Sequence, residues 1–274
     1  MQPPAGSDPY SAAQIADRVE TVGVAKATMP ALQTFMLALL AGAFIAFGSM
    51  FYLLVTAGSD GPFGITRLVG GLAFSTGLIL VVIGGAELFT GNNLIVMAWA
   101  DRRVTTRLLA RNWALVYAGN FAGALGTAAL YWWSGALALG DYAVATQAAE
   151  VAAGKLGLGT RELFFRGILC NTLVCLAVWM SYAGRSGVDK VVVIVVPITA
   201  FVALGFEHSV ANMFLLPLGV LAAELPEVAL AIATPWSACL WQLVVVTAGN
   251  LVGGSVFVAL IYFLIYKRCG AHGL

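Results

Sequence analysis

Glu207 and His208 stand side by side in the segment LGFEHSVANMFLLP, which runs from Leu204 to Pro217. The flanking apolar runs, Val191 to Phe206 and Ser209 to Ala223, carry no other charge. Two ionisable groups at membrane depth cost several kcal/mol, so their presence there marks a site. A histidine offers an N–H donor when neutral and a full charge when protonated. Such a group can bind a small monovalent anion, or hand it a proton so that it leaves as a neutral acid. The alternative role for His208 is a hydrogen bond that ties two helices together. Against that stand its acidic neighbour and a near-copy of the motif 120 positions earlier, GGAELFTGNN from Gly84 to Asn93, which contains Glu87 and Thr90. Asn171, in another charge-free stretch, carries an amide able to bridge neighbouring helices. Lys155 lies in a more polar connection, where it reads as an ordinary solvated residue.

These groups need a scaffold, and the composition defines its kind. Apolar residues make up 61% of the 274 and charged ones only 10%, with a mean hydropathy of +0.92. That is the composition of an all-α membrane protein crossing the bilayer several times. The formal charge of +1 gives no sign of acidic partners, and no basic patch suggests nucleic acid. Cys170, Cys175, Cys239 and Cys269 form no CxxC pair and read as small core- or lipid-facing residues. No metal-ligand set, cofactor-binding loop or nucleophile with a base at useful spacing is present, so no catalytic residue is assigned and an enzyme is not expected. The start MQPPAGSDPY lacks the basic and apolar run of a secretory signal.

Residues 1–29 read as an N-terminal amphipathic segment, helical from Ser11 to Ala27 with Ile15, Val19, Val22 and Lys26 in a rough helical period. Residues 30–267 form a channel domain of six spans, and 268–274 a short tail. The first span is Ala31 to Ala57, longer than the ~20 residues that cross the hydrocarbon. The second begins after Arg67 and is broken at Gly84, Gly85 and Thr90 to Asn93 before a half-helix finishing at Asp101. The third runs from Asn112 to about Gly140 and the fourth from about Gly167 to Gly184. The fifth is the broken His208 segment, and the sixth runs from about Ser237 to Tyr266. Placing both termini in the cytoplasm puts ten Lys and Arg residues on that side and leaves four outside.

The chain also repeats itself. Ala118 to Gly123 (AGNFAG) in the third span matches Ala248 to Gly253 (AGNLVG) in the sixth, as Glu87 matches Glu207. Three spans per half force the halves into opposite orientations, the signature of an inverted-repeat transporter or channel. Breaking a helix in mid-membrane frees backbone N–H and C=O groups, which survive only where protein or a wet cavity satisfies them. Freed N–H groups at a half-helix start attract anions. Glu87 and Glu207 read as structural groups capping freed N–H groups at the breaks, since a carboxylate in the path repels an anion. Paired Asn-Pro-Ala loops, expected of a water channel, are absent from the sequence.

The segments AELFTGNN, CNTLVCLAVWMSYAGRS, DKVVVIVVP and GFEHSVANMF resemble the marker segments of the formate/nitrite transporter family. VAKAT, PFGITRLVGGLAFSTGLIL, the GRS..DK loop and ANMF followed by Pro217 are similar to its formate-channel branch. The resemblance implies an aquaporin-like fold of six spans and a homopentamer with a pore in each subunit of a bacterial inner membrane. It places the central histidine at His208, the loop threonine at Thr90, the asparagine that bridges them at Asn171 and the vestibule lysine at Lys155. It also implies apolar constrictions at Phe74, Leu78, Leu88, Phe89, Val174 and Phe201. The N-terminal segment resembles the helix proposed to gate the cytoplasmic mouth. The expected function is passage of formate, with nitrite, acetate or lactate as related anions. A nitrite or hydrosulfide channel is the alternative. After AELFT, the residues Gly91, Asn92 and Asn93 replace a more usual Ser/Thr-rich stretch.

Overall fold

The computed structural model describes residues 8–232 and 236–269, and every regular element in them is a helix. The first seven residues of the N-terminal segment and residues 270–274 of the tail lie outside that range, as does the side chain of Cys269. Five helices are long and apolar enough to cross a membrane: Ala31–Thr56, Phe63–Gly84, Thr106–Trp133, Thr160–Ser181 and Trp236–Arg268. A shorter apolar helix covers Ser209–Ala222.

In chain order α1 (Ala12–Thr28) is followed by α2 (Ala31–Thr56), α3 (Phe63–Gly84), a 3-10 segment (Gly91–Ile95), α4 (Val96–Ala100), α5 (Thr106–Trp133) and a short 3-10 turn (Ala136–Ala138). Then come α6 (Ala143–Leu156), α7 (Thr160–Ser181), α8 (Gly187–Ala203), α9 (Ser209–Ala222) and α10 (Trp236–Val252), which continues through π-helical turns. The two series run in the same order, and α1 and α6 hold equivalent places in them. Helix α1 starts at a capping box in which the Ser11 hydroxyl and the Gln14 side chain accept each other's backbone N–H. It buries Ile15, Ala16, Val19 and Gly23 on one face. Helix α6 buries Val144, Ala145, Ala148, Ala149 and Ala152. The expected polar connection is here a helix, in which Glu150 and Lys155 mask an apolar face made mostly of alanine.

Two expected boundaries also move. Helix α5 starts at Thr106, six residues before Asn112, and stops at Trp133, while α7 starts at Thr160 and not near Gly167. Both starts are fixed by caps in polar flanks that hydropathy does not register. The Thr105 hydroxyl accepts the N–H of Leu108, and the Glu162 carboxylate that of Gly159.

Helices in lipid approach most closely where side chains are smallest. A methyl group placed on Gly123 would lie 2.0 Å from the Leu39 carbonyl oxygen, and one on Gly253 would lie 2.2 Å from that of Ile168. These glycines, each three residues after the asparagine of its AGN motif, bring α5 against α2 and the last helix against α7. The outward side of α2 leaves Met36, Leu40, Phe47, Phe51 and Leu54 exposed, an apolar surface suited to lipid or to another subunit.

Candidate functional site: the Thr90 and His208 pair between two cavities

Helices α3 and α8 stop in the same way. Gly85 (φ 76°) and Gly205 (φ 74°) take the left-handed conformation that ends a helix, and Ala86 N–H returns to the Val81 carbonyl as Phe206 N–H does to Phe201. The chain then runs without regular structure for three residues, 86–88 and 206–208. Glu87 N–H donates to Leu37 O at 3.2 Å and Glu207 N–H to Arg166 O at 3.3 Å.

The two asparagines of the repeat hold further backbone groups of these segments. Asn120 Oδ1 accepts Phe89 N–H at 2.9 Å, while its Nδ2 donates to Ala38 O and Glu87 O. Asn250 Oδ1 accepts Ser209 N–H at 2.9 Å, while its Nδ2 donates to Gly167 O and Glu207 O. Both side chains are fully buried. The expected capping of these N–H groups by Glu87 and Glu207 is not what the structure has, since both carboxylates take side-chain donors. Glu87 accepts from Lys26 Nζ at 2.8 Å and Asn92 Nδ2 at 2.7 Å. Glu207 accepts from Lys155 Nζ at 3.0 Å, Asn212 Nδ2 at 2.7 Å and Gln242 Nε2 at 3.0 Å. A carboxylate has no proton to share with a carbonyl, whereas an amide can serve an N–H and two carbonyls at once. The AGN repeat was the available signal for this role.

His208 is the N-cap of α9. Its Nδ1 accepts Ala211 N–H at 3.1 Å, so the neutral ring carries its proton on Nε2. That nitrogen lies 3.0 Å from the Thr90 hydroxyl, which thereby receives the ring's N–H. Asn171 reaches the carbonyl of Thr90 (3.3 Å), the carbonyl of Asn250 (2.7 Å) and the side chain of Asn93 (3.4 Å). It makes no hydrogen bond to His208, so it holds Thr90 from behind and does not bridge the pair as the resemblance implied. Thr90 and Asn171 are fully buried.

A cavity approaches this pair from each side. One, of about 200 Å³, lies beside α1 and is lined by Lys26, Leu78, Glu87, Leu88, Tyr182 and Lys190 among others. The other, of about 340 Å³, lies beside α6 and is lined by Phe74, Lys155, Phe201, Glu207 and His208, with Arg67 and Arg166. Phe74 and Leu78 stand one turn apart on α3, so the α1-side and α6-side cavities come within a turn of each other. Phe74 meets Phe201 edge to face at 5.6 Å, and Phe201 stacks on the His208 ring at 5.9 Å. Of the six expected constriction residues, Leu78 and Leu88 line the first cavity and Phe74 and Phe201 the second. Phe89 and Val174 line neither: Phe89 packs against Trp113 and Tyr117, and Val174 is buried in the core.

Lysine residues the sequence treated separately are equivalent here. Lys26 on α1 and Lys155 on α6 pair with the glutamates of the two breaks. Burial alone would lower the affinity of Lys26 for its proton, and the carboxylate of Glu87 beside it more than offsets this, so its pKa is raised.

Together, apolar helices in two matching series, helix ends at Gly85 and Gly205 followed by segments held by buried amides, and a cavity from each side define a multi-pass membrane protein with a polar centre. The chain matches the formate/nitrite transporter family over residues 13–264 and belongs to it. It is 43% identical over 272 residues to the formate channel FocA of Escherichia coli strain K12, with 95% of each chain covered. It is 40% identical over 252 residues to the formate channel FocA of Haemophilus influenzae, covering 88% of this chain and 89% of that one. Among solved structures it is similar to a pentameric formate channel with formate bound, with a TM-score of 0.81 and 40% identity over 86% of this chain and 97% of that one.

Proposed function

We propose that the chain is one subunit of a homopentameric formate channel of a bacterial inner membrane, with its own pore in each subunit. The observation that carries this reading is the Thr90–His208 hydrogen bond of 3.0 Å at the place where two cavities approach. The names of the relatives supply the substrate, formate, and the pentamer. Six spans follow when α3 with α4 and α8 with α9 are each counted as one broken crossing, in an aquaporin-like inverted repeat. Both termini are then cytoplasmic, and the α1-side cavity opens inward.

The pore works by dehydration and compensation. Phe74 and Phe201 on one side, Leu78 and Leu88 on the other, exclude hydrated ions because they return no hydrogen bonds for the water removed. His208 Nε2–H and the Thr90 hydroxyl are the donors that compensate a small partly dehydrated anion. When His208 takes up a proton from water in a vestibule, the resulting imidazolium hands its Nε2 proton to the anion and returns to the neutral ring. The anion then departs as formic acid, which crosses apolar surfaces far more readily. Glu87 and Glu207, with their negative charge matched by Lys26 and Lys155, stay structural. Acetate and lactate are larger passengers of the same charge. The protein is a pore and not an enzyme, and it needs no cofactor or metal.

Uptake of labelled formate, of nitrite and of hydrosulfide into proteoliposomes at several pH values tests this, with His208→Asn beside the unsubstituted protein. Asparagine is a good N-cap and keeps the bond to Ala211 N–H, but it is too short to reach Thr90. Formate is expected to enter faster than nitrite, and the variant to lose the pH dependence. Faster passage of nitrite or hydrosulfide would move the substrate assignment within the family, and an unchanged pH profile would remove His208 from the mechanism.

A further inference from the structure

The two cavities are built from matching parts, yet they differ in where their uncompensated charge sits. Lys26 with Glu87 and Lys155 with Glu207 cancel at 2.8 and 3.0 Å. In the α6-side cavity the remaining cations are Arg67 and Arg166, and both are committed to the end of α8. Arg67 donates to Ala203 O at 2.8 Å and Val202 O at 3.0 Å, and Arg166 to Gly205 O at 3.3 Å. There they complement the negative end of the helix dipole. Glu150 lines the same cavity.

In the α1-side cavity one charged lining residue is left, Lys190. It sits near the start of α8 as Arg67 sits near the start of α3, but without that partner set. The Lys190 ammonium makes no hydrogen bond or ion pair among the described residues, whose ion pairs involve Lys26, Arg103, Lys155 and Lys267. The adjacent acid does not neutralise it. Asp189 is absent from the cavity lining, and its Oδ2 accepts the N–H groups of Arg185 and Ser186 at 2.9 Å, closing the capping box of α8.

We infer that Lys190 is an anion-capture residue of the α1-side vestibule, drawing the substrate anion to the mouth and releasing it there on the way out. This rests on reading the chain as an anion channel. A charge set in a narrow, low-dielectric mouth raises the local concentration of its counter-ion, and added salt screens that effect. Capture belongs to an unpaired cation, since a lysine already neutralised by a carboxylate at contact distance exerts little field at the entrance. It needs no bond specific to one anion, so formate and nitrite feel it alike.

Initial anion influx into proteoliposomes is measured at about 10 mM and about 500 mM salt for the unsubstituted protein, Lys190→Ala, Lys190→Arg and Arg107→Ala. Arg107 is exposed outside the cavity and controls for the loss of one positive charge. Lys190→Ala is expected to slow influx roughly three- to five-fold at low salt, with the deficit fading at high salt. Lys190→Arg and Arg107→Ala should match the unsubstituted protein. A deficit of equal size at both salt concentrations, which a folding defect would also give, overturns the inference, as does an equal loss in Arg107→Ala. Formate, nitrite and hydrosulfide are run in parallel. A wrong substrate shows as absent formate influx in the unsubstituted protein, and the Lys190 comparison is then made with the anion that passes.

Discussion

Leu88 occupies in the first half of the chain the place that His208 occupies in the second, one residue beyond Glu87 and Glu207 respectively. Around these two positions almost every contact is duplicated, from the left-handed Gly85 and Gly205 to the amides of Asn120 and Asn250. The exchange of leucine for histidine is what turns a symmetric scaffold into one with a single polar centre. Leu88→His is therefore expected to place a second imidazole beside the α1-side cavity. It should at least halve formate influx by giving the anion a competing partner, and influx unchanged from the unsubstituted protein would speak against a single centre.

Asn120→Ala and Asn250→Ala each strip three hydrogen bonds from fully buried backbone groups. At about 1–3 kcal/mol for each unsatisfied group, either variant should lose on the order of 3 kcal/mol or more. Thermal aggregation in detergent, followed by size-exclusion chromatography, reads this as a fall in midpoint of many degrees. A midpoint within two or so degrees of the parent would mean that water replaces the amide.

Breaking a buried ion pair costs more than removing it whole. Lys155→Met leaves the Glu207 carboxylate with only Asn212 and Gln242 as partners. This variant is expected to be roughly 3 kcal/mol less stable than the parent, with part of that recovered in Lys155→Met combined with Glu207→Gln. A double-mutant cycle on thermal stability measures the recovery, and strict additivity would show the pair to be uncoupled.

At the helix contact, Gly123→Ala must push apart two backbones, because its new methyl would meet the Leu39 carbonyl at 2.0 Å. A loss of at least 2 kcal/mol is expected from this overpacking. Gly126→Ala, on the same helix with nothing within 4 Å, should be neutral or slightly stabilising through helix propensity. The same thermal assay ranks the two, and equal midpoints would show that α2 and α5 separate freely.

Phe201→Ala removes the ring that packs between Phe74 and His208. Passage of acetate relative to formate should rise several-fold in stopped-flow influx, as the apolar barrier shortens. An unchanged ratio would place the size filter elsewhere.

Much of this was legible in the sequence, for physical reasons. Charge-free runs of twenty or more residues have one stable fate in a bilayer, and Gly85 before a glutamate signals where such a run stops. His208 and Thr90 stood out because polar groups are rare at that depth. The role of Asn120 and Asn250 was not legible, although their motif was seen. An amide's partners are backbone groups 31 and 41 residues away, and spacing along the chain does not reveal which carbonyl it will meet. Lys26 was read only as part of the helical period of an amphipathic segment. Its pairing with Glu87 across 61 residues became visible when α6 proved to be the counterpart of α1.

The long reach of those two amides sets a condition on how the protein is made. Each break leaves the ribosome well before the asparagine that closes it, by 31 residues in the first half and 41 in the second. During that interval the freed N–H and C=O groups near Glu87 and Glu207 cannot face hydrocarbon. The insertion machinery must shelter each unfinished half until its last helix arrives, so each half of the molecule is a single consignment for delivery into the bilayer.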